Sequence, residues 1–263
     1  MGTLRLVPNR VDTDSTKSEK SGLSGFIESL IRSFRSLSHL ALLLPVYGLG
    51  CLIVGTAATP AVLLFRWVYQ SIADWGFVAK AWTLAVTLGA CYFTFGFALI
   101  LLVPAFNWVF RLRLQAWRGP YYSLETIKWY LHNGTAYIVR YSFLEMITPT
   151  PFNLLYFKAM GMKIGRGSAI NSSHISDPSL IELGDKVTIG GSATIVGHYG
   201  QGGYLILAPV KIGHGVTVGL KATIMGGALI GDGAKILPNS LILPKTVVPE
   251  GETWGGVPAK RVS

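Results

Sequence analysis

Only two cysteines occur in the 263 residues, Cys51 and Cys91, and both fall inside apolar runs. This rules out a disulfide framework and a CxxC metal motif, and both are expected to be small buried hydrophobes. Charge is sparse as well. Asp, Glu, Lys and Arg make up 14% of the chain, and none falls between Leu37 and Phe65 or between Trp82 and Phe110. Each of these stretches exceeds the roughly 20 residues that a bilayer demands, and little other fold is present to bury them. Transmembrane helices are therefore expected at about 37–65 and 81–110. Pro45, Pro60 and Pro104 are expected to kink or end them, with Trp67, Trp75, Trp108 and Trp117 as interfacial anchors.

A basic face with interleaved aromatics is missing too. The net charge is +10, yet residues 161–263 hold nine basic against six acidic residues and the aromatics sit mainly in the apolar half. Nucleic acid is thus excluded as a partner, and a membrane surface fits better. Arg32 and Arg35 precede the first apolar run, and Arg111, Arg113 and Arg118 follow the second. Positive residues stay inside, so the expected arrangement is a multi-pass hairpin in the cytoplasmic (inner) membrane. Both termini, and all that follows the second span, then face the cytoplasm.

Four regions follow from composition. Residues 1–25 are expected to form a polar, flexible tail, with no signal-peptide pattern, and Leu6 stands where a myristoylation motif wants Ser or Thr. Residues 26–122 form the membrane region, opening with an amphipathic piece that carries Ile27, Leu30, Ile31 and Phe34 on one side. Residues 123–160 read as interfacial or capping helices, with the turn Thr148-Pro149-Thr150-Pro151 before an apolar segment that covers whatever comes next. Residues 161–263 form a separate domain.

That domain repeats. Ile212, Val218, Ile224, Ile230, Ile236, Ile242 and Val248 return at every sixth position, which fits neither a helix nor an alternating strand. Four residues after each of the first six comes a smaller one, namely Val216, Ala222, Ala228, Ala234, Ser240 and Thr246, while Gly213, Gly219 and Gly231 follow the aliphatic directly. The same register runs upstream through Ile164, Ile170, Leu183, Ile189 and Ile195. Six-residue units of one short strand and one tight turn build a parallel β-helix, three units to a coil, with the aliphatics stacked inside.

The period breaks twice, around His174–Ile181 and between Ile195 and Ile212, and insertions in a repeat protein emerge on one face. The second insertion reads Val196-Gly197-His198-Tyr199-Gly200-Gln201-Gly202-Gly203-Tyr204. Its histidine is suited to taking a proton from a hydroxyl or amine near neutral pH.

The repeat, the loop histidine followed by Ala208-Pro209-Val210-Lys211-Ile212-Gly213, and the closing Gly255-Gly256-Val257-Pro258-Ala259-Lys260 together resemble the hexapeptide-repeat, or left-handed β-helix, acyltransferases over residues 161–263. The resemblance implies a left-handed coil, a homotrimer with sites between subunits, and acyl-CoA, above all acetyl-CoA, as donor. It makes His198 the catalytic base. It also runs the pantetheine arm near Gly219, Ala222, Gly226 and Gly227 and places Lys245, Lys260 and Arg261 toward the CoA phosphates. One departure is Leu220-Lys221, where many members carry small residues.

His174, Tyr199 and Glu182 are second-tier candidates, the last as the partner that orients His198. No metal is expected. The gamma-class carbonic anhydrases share this type of helix and bind zinc through three histidines, but His174, His198 and His214 lack a close pair. Lys128-Trp129, the Thr-Pro turn, Gly161-Met162-Lys163-Ile164-Gly165 and Trp254-Gly255-Gly256-Val257-Pro258-Ala259 also resemble the C-terminal part of poly-lysine synthetase-type peptide synthetases. That likeness implies a carrier-bound thioester donor. Membrane anchoring favours a lipid-linked or envelope acceptor, because it concentrates a membrane-bound substrate at the site. A carrier-dependent amide-forming enzyme and a silent trimeric scaffold are the alternatives.

Overall fold

The computed structural model describes Ser18 and residues 21–263. The tail expected over 1–25 lies largely outside the described residues, and from Gly22 the chain is already helical. Helix α1 (Gly22–Ser33) leaves Phe26, Ile27 and Leu30 exposed and closes an i,i+4 ion pair between Glu28 and Arg32.

Helices α2 (Arg35–Ser71) and α3 (Phe77–Val109) pack together through a short turn at 72–76. Within them Leu44–Ser71 and Phe77–Val109 are long and apolar enough to cross a membrane, at 28 and 33 residues with mean hydropathies of 1.9 and 2.2. Both helices outrun the stretches read from charge alone. Lys80 sits in the first turn of α3 and folds its Nζ back to the Ala73 carbonyl at 3.2 Å, so one charge at the end does not stop the helix. Pro45, Pro60 and Pro104 lie inside helices that run on past them, and so end nothing. Trp67, Trp75 and Trp108 are exposed, whereas Trp117 is not: it lies in strand β1 (Trp117–Pro120) and packs beside Leu114, Leu205 and Leu207.

Residues 163–261 form a three-faced parallel β-helix. One face stacks Lys163–Ile164, Ile181–Leu183, Val210–Ile212, Leu229–Ile230 and Val247–Val248. The second stacks Ala169–Ile170, Thr188–Ile189, Thr217–Val218, Lys235–Ile236 and Thr253–Gly256, with Ala259–Arg261 returning antiparallel at the end. The third stacks Ile175–Ser176, Thr194–Val196, Thr223–Ile224 and Leu241–Ile242. Register is fixed by the aliphatics, Leu183 on Ile212 on Ile230 and Ile195 on Ile224 on Ile242, all buried. Each such side chain contributes about 1.5–3 kcal/mol on leaving water.

The small residues of the repeat fill the inside of the corners: Val216, Ala222, Ala228 and Ala234 are fully buried. The glycines that follow the aliphatics serve close approach rather than unusual φ. A Cβ on Gly219 would stand 2.5 Å from the Pro238 nitrogen, and one on Gly184 would stand 2.7 Å from the Gly213 carbonyl carbon. Left-handed φ values instead fall two residues further on, as at Lys186 (56°), Lys221 (55°) and Lys245 (61°).

Helix α5 (Pro151–Ala159) covers the first coil, with Thr150 capping its N-terminus and Asn153 Nδ2 donating to the Ile170 carbonyl at 2.8 Å. Helix α4 (Leu124–Val139) lies between the α2–α3 pair and the coils. The second insertion is not a loop but a hairpin, β2 (His198–Gln201) and β3 (Tyr204–Leu207), and β1 extends it antiparallel through Trp117 opposite Leu207 and Pro120 opposite Tyr204. This three-stranded sheet brings the segment after α3 down onto the corner that carries His198.

Candidate active site

The site is built where both breaks in the repeat meet. At the first, Asp177 takes a left-handed conformation (φ 58°, ψ 52°) just before the Pro178–Leu180 turn, and its side chain is fully buried. A buried carboxylate needs a partner for each lone pair it loses to desolvation. Asp177 has four. Oδ1 accepts from Asn133 Nδ2 at 2.8 Å and Trp129 Nε1 at 3.0 Å, while Oδ2 accepts from the Gly197 N–H at 3.1 Å and from His198 Nδ1 at 2.5 Å. Burial pushes its pKa up, but the hydrogen bond and charge of His198, then Asn133 and His132, outweigh it and hold the carboxyl below the usual range.

An ionised carboxylate only accepts, so the proton of that shortest contact belongs to His198 Nδ1. Nε2 is then the bare nitrogen, with no hydrogen bond to any described residue, and the side chain is 22% exposed. The Trp129 ring stands edge-on against the imidazole, centroids 4.9 Å apart at 72°, and continues into Tyr130 and Tyr121. Burial drives the Tyr130 hydroxyl from the ordinary 10 up to about 12. A held, partly exposed imidazole with a free Nε2 is equipped to take a proton from a bound group.

Several residues singled out in the sequence share this corner. A Cβ on Gly226 would lie 3.1 Å from the backbone nitrogen of His198; Gly227 N–H donates to the Ala208 carbonyl at 3.1 Å, and Lys245 N–H donates to the Gly226 carbonyl at 3.2 Å. Others do not. Gly219 stacks at the neighbouring corner, between Gly190 and Leu237–Pro238, and Ala222 points inward with no exposed surface, so neither lines a path past His198. Lys260 and Arg261 sit on the return strand opposite Gly255 and Trp254, where Arg261 Nε meets Glu252 at 3.3 Å.

Glu182 does not orient His198. It lies outward on the first face and pairs with Lys163 at 3.1 Å, and Asp177 takes the role instead. The sequence carried a signal for this. Coils return every eighteen residues, as Ile212 to Ile230 shows, so the inserted segment about one coil before His198 stacks beside it. Tyr199 alternates to the other side of β2 and is buried with its Oη unpaired. His174 stays outside the hydrogen bonds of the pair; its backbone engages Ser172 and Ile195, and its buried Nδ1 has no partner. Among the described residues no three His, Cys, Asp or Glu side chains gather as a metal site.

A parallel β-helix of six-residue units with a carboxylate-held histidine at an inserted corner defines the class in outline. No family model matches the chain. The acetyltransferase-named protein YvoF of Bacillus subtilis is 32% identical over 128 residues, which span 44% of this chain and 71% of that protein. The chain therefore belongs to the hexapeptide-repeat acyltransferases. Delta-poly-L-ornithine synthetase of Acinetobacter baumannii is 31% identical over 151 residues, 57% of this chain but only 11% of the synthetase's length. Among solved structures, a hexapeptide-repeat acetyltransferase of Vibrio cholerae overlaps 52% of this chain and 92% of its own at 18% identity and a TM-score of 0.41.

Proposed function

We propose that this protein is a membrane-anchored acyltransferase that moves an acyl group, acetyl in the first instance, from acyl-CoA to a hydroxyl or amine of a lipid-linked or envelope acceptor. The observation that carries this reading is the imidazole of His198, held at Nδ1 by Asp177 and free at Nε2. Nε2 takes the acceptor's proton as its oxygen or nitrogen attacks the thioester carbonyl carbon. The tetrahedral adduct then expels the thiolate with cleavage of the C–S bond, and the proton passes from Nε2 to the departing sulfur. Asp177 stabilises the imidazolium in between.

On this reading the pantetheine arm runs by Gly226 and Gly227, and Lys245 at the same corner reaches the CoA phosphates. The coil is left-handed and three chains assemble as a trimer. Helices α2 and α3 cross the bilayer: Leu44, Leu52, Leu63, Trp82, Leu88 and Leu101 are all exposed, more apolar surface than a water-facing helix pair leaves uncovered. The basic flanks put the β-helix on the cytoplasmic side of the inner membrane.

One second reading has a specific observation behind it. The likeness to the poly-ornithine synthetase covers 151 residues and favours a carrier-bound aminoacyl thioester as donor, with the same base forming an amide. Thiol release from a panel of acyl-CoA donors, by detergent-purified wild type and His198→Ala incubated with a membrane-lipid extract, separates the two. CoA release and a fixed mass added to one lipid, both lost in the variant by roughly 10²- to 10⁴-fold, support the CoA reading. No turnover of any CoA donor by wild type favours the carrier thioester.

A further inference from the structure

We propose that Trp129 and Asn133 of α4 are positioning residues for the His198–Asp177 pair, so that a helix seated on the membrane hairpin aligns the base. The proposal rests on His198 being that base. Asp177 meets His198 through Oδ2 alone. Held only there and by the Gly197 N–H, the carboxylate would be free to turn about its Cβ–Cγ bond. Oδ1 is instead pinned by two donors from one helix, Trp129 Nε1 at 3.0 Å and Asn133 Nδ2 at 2.8 Å, spaced i and i+4 on the same face. Asn133 Nδ2 also bonds the Trp129 carbonyl at 3.2 Å, which fixes its own rotamer.

Trp129 acts twice, since its ring also stands against the imidazole and limits how far His198 can swing. The other attachment of α4 leads away from the β-helix. His132 Nδ1 meets Asn107 Oδ1 of α3 at 2.9 Å, and Asn107 Nδ2 donates to Thr135 Oγ1 at 3.0 Å and to the Val103 carbonyl at 2.9 Å. All of these groups are buried. Asp177 is thus gripped by a helix whose own seat is a polar patch on α3. The titratable groups that act on Asp177 are His198 from β2 and His132 from α4, and Lys128 acts on His132 from the same helix.

The test uses the full chain in detergent, with acetyl-CoA and a membrane-lipid extract, and reads kcat, KM for acetyl-CoA and the pH–rate profile. Trp129→Phe keeps a ring beside His198 and removes one donor to Oδ1; Asn133→Leu removes the other. Each is expected to lower kcat about tenfold with little change in KM, the loss of one charge-assisted hydrogen bond. Each also moves the acid limb to higher pH, because a carboxylate with fewer donors on Oδ1 is a stronger acceptor for the proton it shares with His198. A purely structural role would lower stability and leave the limb in place. If His198→Ala is inactive while both variants keep the wild-type kcat and acid limb, the proposal is overturned and the base survives. If His198→Ala turns over like wild type, the base reading itself fails. Should Asn133→Leu not fold, Trp129→Phe carries the test alone.

Discussion

Four N–H donors close on the two oxygens of Asp177, and because the side chain is fully buried each of them matters to both folding and chemistry. Asp177→Asn keeps the shape but turns one oxygen into an NH2 that faces donors. The expected result is a loss of roughly 10²-fold or more in kcat and of about 3 kcal/mol in unfolding free energy, read from turnover and thermal unfolding of the same preparation. His132 makes a separate prediction. Burial lowers its pKa from the ordinary 6.5 to about 4, against a smaller opposing pull from Asp177. The unfolded chain then binds the extra proton first. Stability is therefore complete above pH 6.5 and is lost as pH falls toward about 4, by an amount on the order of 3 kcal/mol. His132→Gln should flatten that slope in a pH series of melting temperatures; a slope unchanged by the substitution would exclude His132 as its source. His198 could be found from sequence because it sits on a glycine-rich insertion. Asp177 could not be found by adjacency, since it lies 21 residues away and reaches the imidazole only once the coil has closed.

The elements of the solenoid were legible because one constraint, an aliphatic at every inward position, repeats too often to be mistaken. What the period did not reveal is why glycine follows the aliphatic. Gly219→Ala would press a Cβ to 2.5 Å from the Pro238 nitrogen of the next coil, backbone that cannot step aside. A destabilisation of about 1–3 kcal/mol is expected. Gly134 is the contrasting case. It lies in α4, where an added methyl would find no neighbour within 4 Å, so Gly134→Ala should stabilise by up to about 1 kcal/mol through helix propensity. Chemical denaturation of the two variants in parallel checks both signs. Strand β1 was hidden for another reason: Trp117, Arg118, Gly119 and Pro120 have no alternating pattern of their own. They become a strand only because β3, more than eighty residues later, offers them an edge.

At the scale of the molecule, the pieces that sequence divides into a membrane region, helices and a β-helix are joined across the site. Buried residues run without a break from Ile53, Ala57, Leu99 and Val103 in the helix pair, through Val139, Phe143 and Phe157, to Ile170 and the stacked interior of the coils. A second cluster, Leu114, Trp129, Leu180, Leu205 and Leu207, ties β1 and α4 to the hairpin that carries His198. A fragment limited to residues 161–263 keeps the repeat but loses both covers. It leaves the coil end under α5 open, strips β3 of β1, and takes two of four donors from Asp177. An open β-helix end is an exposed sheet edge that recruits other chains. The fragment is therefore expected to aggregate or to lose a cooperative unfolding transition, and to release no CoA under conditions where the full chain does. A fragment that melts cooperatively and turns over at the full-chain rate would mean that α4 and β1 are dispensable to the site. The setting of His198 would then be a property of the β-helix alone, with α2 and α3 playing no part in it.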